Sequence, residues 1–489
     1  MNPAVPLISH RHLSPLSRMQ LTFAAAVAIA LTTACGSSGS MSPALKGNTS
    51  VTVLLSSTAN DQLSQFTVTF NSITLTSQSG KTISLFAASQ TPEFIHLNGT
   101  AEPLVTVGVP QDVYTSATAT IQYSAFTCVS LSPGELQTSE FGLNSTPSAT
   151  LKLPSPITVT GTAMGLSLAL QVSQSATFSN CELEGATYSI TPTFNVTPVA
   201  ISSQPTNVEN GKLSGIDGQI SSVSTTGNSF SFVTADGITL SINANGNTAY
   251  QGSVNDFSAL LAGMPVDVDA AIQPDGSLLA TRVAVQDTDT TSLSSLSGPL
   301  LSVFEFDPVL FMFGREEQGY LFPGTIFGGQ NLSFGNAVFQ TSGQLTNLQN
   351  LPFVPSFDAG NMFAGQNVHI TSHATTLSPD PTYYPATTVT LIPQTINGKV
   401  SEVSNSGSFA IYTVTLAPYD LIPALAVQPG QTTLLTDPSN VVVYVDSSTQ
   451  LLNSTALAVG SILHFNGLLF NDNGILRMDC GQVNDGVAQ

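Results

Sequence analysis

Three stretches in the second half of the chain open alike: Gly218-Gln-Ile-Ser-Ser-Val223, Gly298-Pro-Leu-Leu-Ser-Val303 and Gly398-Lys-Val-Ser-Glu-Val403. Each is followed by a small polar pair before an apolar position: Asn247-Thr-Ala-Tyr250, Asn336-Ala-Val-Phe339 and Ser448-Thr-Gln-Leu451. Each then turns on a glycine into an alternating strand, at Gly263–Val268, Gly365–Ile370 and Gly460–Phe465. Each closes on one more strand, at Leu279–Val283, Ala386–Leu391 and Leu476–Cys480. Self-similarity of this kind marks tandem units, each a single supersecondary assembly. The units fall at 213–287, 297–392 and 397–485. A unit of about 75 residues with five or six short strands is the right size to close as a small barrel, so three OB-like barrels are expected.

The segment before them, residues 50–200, is also strand-patterned. Gln65–Thr76 alternates apolar and polar residues, and Ser79-Gly80-Lys81 turns it into Ile83–Phe86. Glu93–Leu97, Leu104–Val107 and Val113–Ile121 continue the pattern between Gly, Asn and Pro signals. Period-two runs so punctuated predict an antiparallel β-sandwich. The order, with Val109-Pro110-Gln111-Asp112-Val113-Tyr114 leading into a strand, resembles an N-terminal domain of unknown function common in bacterial lipoproteins. That resemblance implies an immunoglobulin- or transthyretin-type sandwich. The repeats likewise resemble a second family of unknown function, a small barrel found in tandem in bacterial exported proteins. The expected class is all-β throughout.

Residues 1–34 read as an export signal. Arg11 and Arg18 with no acid precede an apolar run, Leu21–Thr33, too short to span a bilayer. The exit Leu31-Thr32-Thr33-Ala34-Cys35 resembles the lipobox of bacterial lipoproteins, with Thr32 where that family prefers Leu. The resemblance implies cleavage after Ala34 and a diacylglyceryl group on Cys35. A signal that simply releases a soluble chain after Ala34 is the alternative. Gly36-Ser37-Ser38-Gly39-Ser40 opens a flexible tether over residues 35–49, as an anchored protein needs. The expected address is the cell envelope, with the outer membrane favoured in a Gram-negative cell because Gly36, not Asp, follows the cysteine. The membrane is then a partner through the N-terminal lipid.

Composition narrows the function. After the signal, eight basic residues face 30 acidic ones, a net charge of −22. Such a surface repels nucleic acid. Yet only 8% of residues are charged and 42% are hydrophobic, so the surface is built of neutral polar residues and the chain is not disordered. Cys128 and Cys181 share the first domain and an oxidising compartment, which predicts a disulfide, with two buried thiols as the alternative. Cys480 aligns with Val283 and Val389 and reads as a small buried hydrophobe.

Chemistry is sparse. The sequence holds no Gly-x-Ser-x-Gly, His-Glu-x-x-His, phosphate-loop or Cys-x-x-Cys motif. His369 and His373 are four apart on a predicted strand, but His369 aligns with His464 and Asp267, so exposed polar positions are expected rather than a metal pair. Asp287, Asp289 and Asp380 lack calcium-loop spacing. No catalytic residue, metal or cofactor is assigned. The insertion Phe304–Phe334 holds seven Phe and one Tyr. Phe304, Phe306, Phe311, Phe313, Tyr320 and Phe322 form either a hairpin packed on its own barrel or an exposed surface for a glycan, another polymer or an envelope protein. The expected role is non-enzymatic: envelope scaffold, or polymer or partner binding. The alternative is a secreted hydrolase using carboxylates between domains.

Overall fold

The computed structural model describes residues 45–58, 63–98, 100–132, 135–144, 149–181, 185–199, 201, 212–252, 254–285, 294–303, 309–312, 315–318, 325–326, 330–342, 348–372, 384–417, 420–426, 435–452 and 457–484. From Lys46 onward the chain is one compact unit. It is nearly all β, with several sheets and small barrel-like arrangements. The signal, Cys35, the start of the tether, His373, Asp287, Asp289 and Asp380 lie outside the described residues.

The first module contains β1 (Asn48–Ser57), β2 (Leu63–Ser77), β3 (Thr82–Phe86), β4 (Glu102–Pro110), β5 (Val113–Ser132), β6 (Glu135–Asn144), β7 (Ala149–Leu151), β8 (Ile157–Thr158), β9 (Ala163–Leu170), β10 (Ala176–Phe178), β11 (Tyr188–Ile190) and β12 (Phe194–Val199). One sheet runs β12-β9-β1-β4 and the other β3-β2-β5-β6, with β7 and β8 added along β5. Strand β1 begins at Asn48, with Thr49 already buried, so the ordered module starts slightly before residue 50. Antiparallel pairing was the expectation, and one pair departs from it: β1 and β9 run parallel. They are joined by a long stretch of chain rather than a hairpin, so no tight turn forces them antiparallel.

The alternation in β2 buries Phe66, Val68 and Phe70, then Ile73 and Leu75. The phase changes because a register shift between Phe70 and Ser72 absorbs one residue. The two sheets meet across Phe70, Phe94 and Phe194, whose ring centroids lie 5.5–6.2 Å apart. Burying side chains of this size stabilises by ~1.5–3 kcal/mol each. Cys128 on β5 and Cys181 form a disulfide, with Cα atoms 5.7 Å apart.

The second module contains β13 (Lys212–Ser224), β14 (Ser229–Thr234), β15 (Thr239–Asn243), β16 (Ala249–Gln251), β17 (Pro265–Ile272) and β18 (Leu278–Val285). These close in the circuit β13-β14-β15-β18-β17, with β17 returning to β13. The β15–β18 pair is parallel, and β16 adds to β18 in the same sense. The third module contains β19 (Ser294–Val303), β20 (Val309–Met312), β21 (Arg315–Gln318), β22 (Thr325–Ile326), β23 (Gln330–Ser333), β24 (Val338–Thr341), β25 (Asn367–Ser372), β26 (Tyr384–Pro385) and β27 (Thr388–Leu391). It keeps the circuit with its last strand split: β23 pairs β26 in parallel, while β25 pairs β27. The extra β21–β22 pair comes from the aromatic insertion and lies along β19. The fourth module contains β28 (Gln394–Ser406), β29 (Phe409–Leu416), β30 (Asn440–Val445), β31 (Gln450–Leu452), β32 (Ile462–Asp472) and β33 (Ile475–Asn484). Its circuit, β28-β29-β30-β33-β32-β28, repeats that of the second module.

The glycines that open the second and fourth modules have a steric cause. A Cβ on Gly218 would sit 2.1 Å from the Val233 carbonyl oxygen, and one on Gly398 would sit 2.4 Å from that of Thr415. The long first strand bends there against its neighbour, next to register shifts at Ile220/Ser222 and Val400/Glu402. A longer last hairpin in the fourth module corrects the sequence alignment of the last strands. Val483, not Cys480, occupies the place of Val283 and Val389, since Phe465, Val268 and Ile370 are their respective partners. Cys480 faces Gly467 and is still buried in the barrel core, so its packing role holds while its register does not. Burial pushes its thiol well above the usual range.

Candidate functional site

The four modules touch through buried polar contacts, and one junction gathers titratable groups. Glu93 precedes the single turn of 3₁₀ helix Ile95–Leu97. Its neighbours Phe94 and Leu97 are fully buried, so the turn is fixed to the first module's core at both ends. The Glu93 carboxylate accepts from four N–H groups. Oε1 takes the backbone N–H of Phe66 at 2.8 Å and of Ile95 at 2.7 Å. Oε2 takes the backbone N–H of His96 at 3.0 Å and its Nδ1 at 2.9 Å. An ionised carboxylate only accepts, so this contact places a proton on Nδ1.

His96 Nε2 points the other way. It lies 3.2 Å from Glu102 Oε1, at the start of β4, and 4.0 Å from Asp236 Oδ2. Asp236 belongs to the second module, on the tight β14–β15 hairpin where Gly237 takes a positive φ of 77°. Its Oδ1 accepts the backbone N–H of Glu93 at 3.2 Å, which closes the junction. Glu93, Glu102 and Asp236 are all buried, and His96 alone reaches solvent, with its side chain 23% exposed. Three carboxylates from two modules thus converge on one imidazole. Burying charge at this density is expensive unless a cation balances it. The site is chemically suited to hold one, either a proton on Nε2 or a metal ion among Nε2, Glu102 and Asp236.

Sequence reasoning missed this cluster. The local signal is Glu93-x-x-His96 with Glu102 six residues on, unusual in a chain so poor in charge. Asp236 reads as an ordinary turn residue, and only the fold brings it to Glu93.

The histidines singled out from the sequence behave otherwise than expected. His369 and His464 are buried, not exposed. Both lie on β25 and β32 at the position expected to face outward, as Asp267 does on β17, yet all three are buried, Asp267 against the third module. His369 Nδ1 meets Ser297 Oγ at 2.8 Å, and His464 Nδ1 pairs with Asn397 Oδ1. Asp267 accepts from Ser342 of the third module at 3.4 Å. Gln366 Nε2 of the third module donates to the Leu469 carbonyl of the fourth at 2.9 Å, and Phe353 of the third packs tilted against Tyr444 and edge-on against Phe470 of the fourth. Thr395 Oγ1 of the fourth module donates to the Asn98 carbonyl of the first at 2.5 Å. Of the aromatic insertion, Phe304, Phe306, Phe313, Tyr320 and Phe322 lie outside the described residues, while the backbone of Phe311 runs in β20 opposite Ser302 and Asn331.

Fold and junction together define an all-β chain of one two-sheet module and three repeated barrel-like modules, joined by buried polar contacts. A family model described as a domain of unknown function (DUF5666) matches residues 217–284, the second module with Asp236 and Asp267 inside it. No curated protein matches the chain.

Proposed function

We propose that the protein is an exported lipoprotein, held to the cell envelope through Cys35, that acts as a non-enzymatic scaffold or binding body for an extracellular polymer or envelope partner. In this reading the first module is an immunoglobulin- or transthyretin-type sandwich and the three barrels are OB-like. The observation that carries it is the packing of all four modules into a single unit beginning at Lys46, just beyond the Gly/Ser stretch that follows Cys35. Each inter-module contact described above uses side chains that a hinge-opening enzyme would need to release. The net charge of −22 after the signal disfavours nucleic acid and favours a neutral polymer or a protein as partner.

The convergence of carboxylates between modules is what a hydrolase reading would seek. Their spacing argues against it. Acid and base that flank a glycosidic bond stand ~5–9.5 Å apart. Here ligand atoms from His96, Glu102 and Asp236 all lie within 4.8 Å of one another and share one imidazole. So close a set is better matched to an ion than to the flanking of a glycosidic bond. The test is the intact mass of membrane-extracted protein beside a Cys35→Ala variant. Lipidated wild type and released variant support the anchor, and a wild-type chain that differs in mass from the variant only by the sulfur of Cys35, with both proteins released, refutes it.

A further inference from the structure

We propose that His96, Glu102 and Asp236 bind a divalent transition-metal ion of the Zn²⁺ class, clipping the first module to the second, with Glu93 orienting the imidazole. The proposal rests on the junction geometry and stands whether or not the chain is lipid-anchored.

Four observations converge on it. First, Glu93 is saturated by its four N–H donors and holds the proton on His96 Nδ1. A metal-bound imidazole usually has its far nitrogen donating to a carboxylate, and since His96 Nε2 already meets Glu102 Oε1 at hydrogen-bond distance, the ion would take the place of a proton shared there. Second, Nε2 lies 3.2 Å from Glu102 Oε1 and 4.0 Å from Asp236 Oδ2. Ligands ~2.0–2.1 Å from a tetrahedral ion stand about 3.3 Å apart, so a small inward shift of Asp236 completes the set. Third, Glu102 is only 2% exposed, and its Oε2 has no hydrogen-bond partner among the described residues. A buried carboxylate oxygen left so is costly, and a cation beside it removes the cost. Fourth, a proton on Nε2 would offset just one of three clustered carboxylates, whereas a divalent ion offsets two.

The donor set selects the ion class. One imidazole with two carboxylates suits Zn²⁺, while Mg²⁺ and Ca²⁺ take oxygen ligands alone. Three protein ligands leave a fourth position, and the partial exposure of His96 gives solvent a way to it. Two ligands come from the first module and one from the second, so the ion would bridge them.

The experiment is calorimetric titration of the chelator-stripped full chain with Zn²⁺, beside Glu102→Gln and Asp236→Asn. Expected is one saturable equivalent in wild type, weakened at least tenfold in each variant. Far-UV circular dichroism verifies that the variants fold. Should either not fold, the wild-type measurement stands alone: Zn²⁺ raises its melting temperature and a chelator reverses the rise. No saturable equivalent in wild type, no thermal shift, or wild-type affinity in both variants would overturn the proposal.

Discussion

Asp420→Asn should stabilise the fourth module at high pH and lose most of that gain in acid. Asp420 is buried just before the short helix Leu421–Ala426, where its Oδ1 accepts the Ile422 N–H at 3.0 Å and its Oδ2 has no partner among the described residues. Burial pushes its carboxyl up to about 7. In the unfolded chain it titrates near 3.8. Below pH ~4 both states hold the proton. Between there and 7 the folded state keeps a proton that the unfolded state releases, so stability falls as pH rises. The full cost is ~4 kcal/mol at 1.36 kcal/mol per unit, of which about 3 kcal/mol accrues between pH 4.5 and 8. Asparagine keeps the Oδ1 acceptor and cannot ionise, so any fixed cost of its amide is the same at both pH values. Asp479 in the same barrel is also raised, to about 6, by burial and then by Asp446, but it is common to both proteins and cancels. The assay is urea unfolding at pH 4.5 and 8, read by hydrogen-exchange mass spectrometry on peptides across Gln394–Leu416. This follows the fourth module even where modules unfold separately. The variant's stability relative to wild type should improve by about 3 kcal/mol on going from pH 4.5 to pH 8. An effect independent of pH would mean that Asp420 titrates as an exposed carboxyl, and would refute the packing of the helix Leu421–Ala426 on the barrel.

Two further outcomes test the framework of the fold. The double variant Cys128→Ala/Cys181→Ala opens a loop with a sequence separation of 53 and should cost the first module ~4 kcal/mol in the chain-entropy model; chemical denaturation monitored on peptides of β2 and β5 reads it, and an unchanged midpoint would contradict it. Gly218→Ala drives a methyl into the Val233 carbonyl and should destabilise the second module by ~1–3 kcal/mol; a calorimetric melt matching wild type would show that the close approach of β13 to β14 is wrong.

Much of this architecture is legible in the sequence because period-two alternation and recurring glycines are local. Gly218, Gly298 and Gly398 announce the same bend three times, and the strand order follows the repeat. What escapes is whatever depends on one module covering another. His369, His464 and Asp267 alternate with core residues and so read as solvent-facing, yet all three are buried, Asp267 beside Ser342 of the third module. Cys480 falls out of register because the β32–β33 hairpin runs longer than the β17–β18 hairpin, a difference that simple alignment cannot count, while the bulge at Asn466/Gly467 recurs at Asp269/Ala270. The junction of Glu93, His96, Glu102 and Asp236 was invisible for a related reason. Asp236 is 143 residues from Glu93, and a turn aspartate carries no mark of the partner that will meet it.

The central claim is that these modules are displayed from a membrane through Cys35. The most direct measurement is intact mass of the protein extracted from the membranes of bacteria expressing it, beside Cys35→Ala expressed in the same way. The account predicts that wild type begins at Cys35, carries a diacylglyceryl group and fractionates with membranes, while the variant carries no lipid and does not. An unmodified wild-type chain released to the same extent as the variant would contradict it.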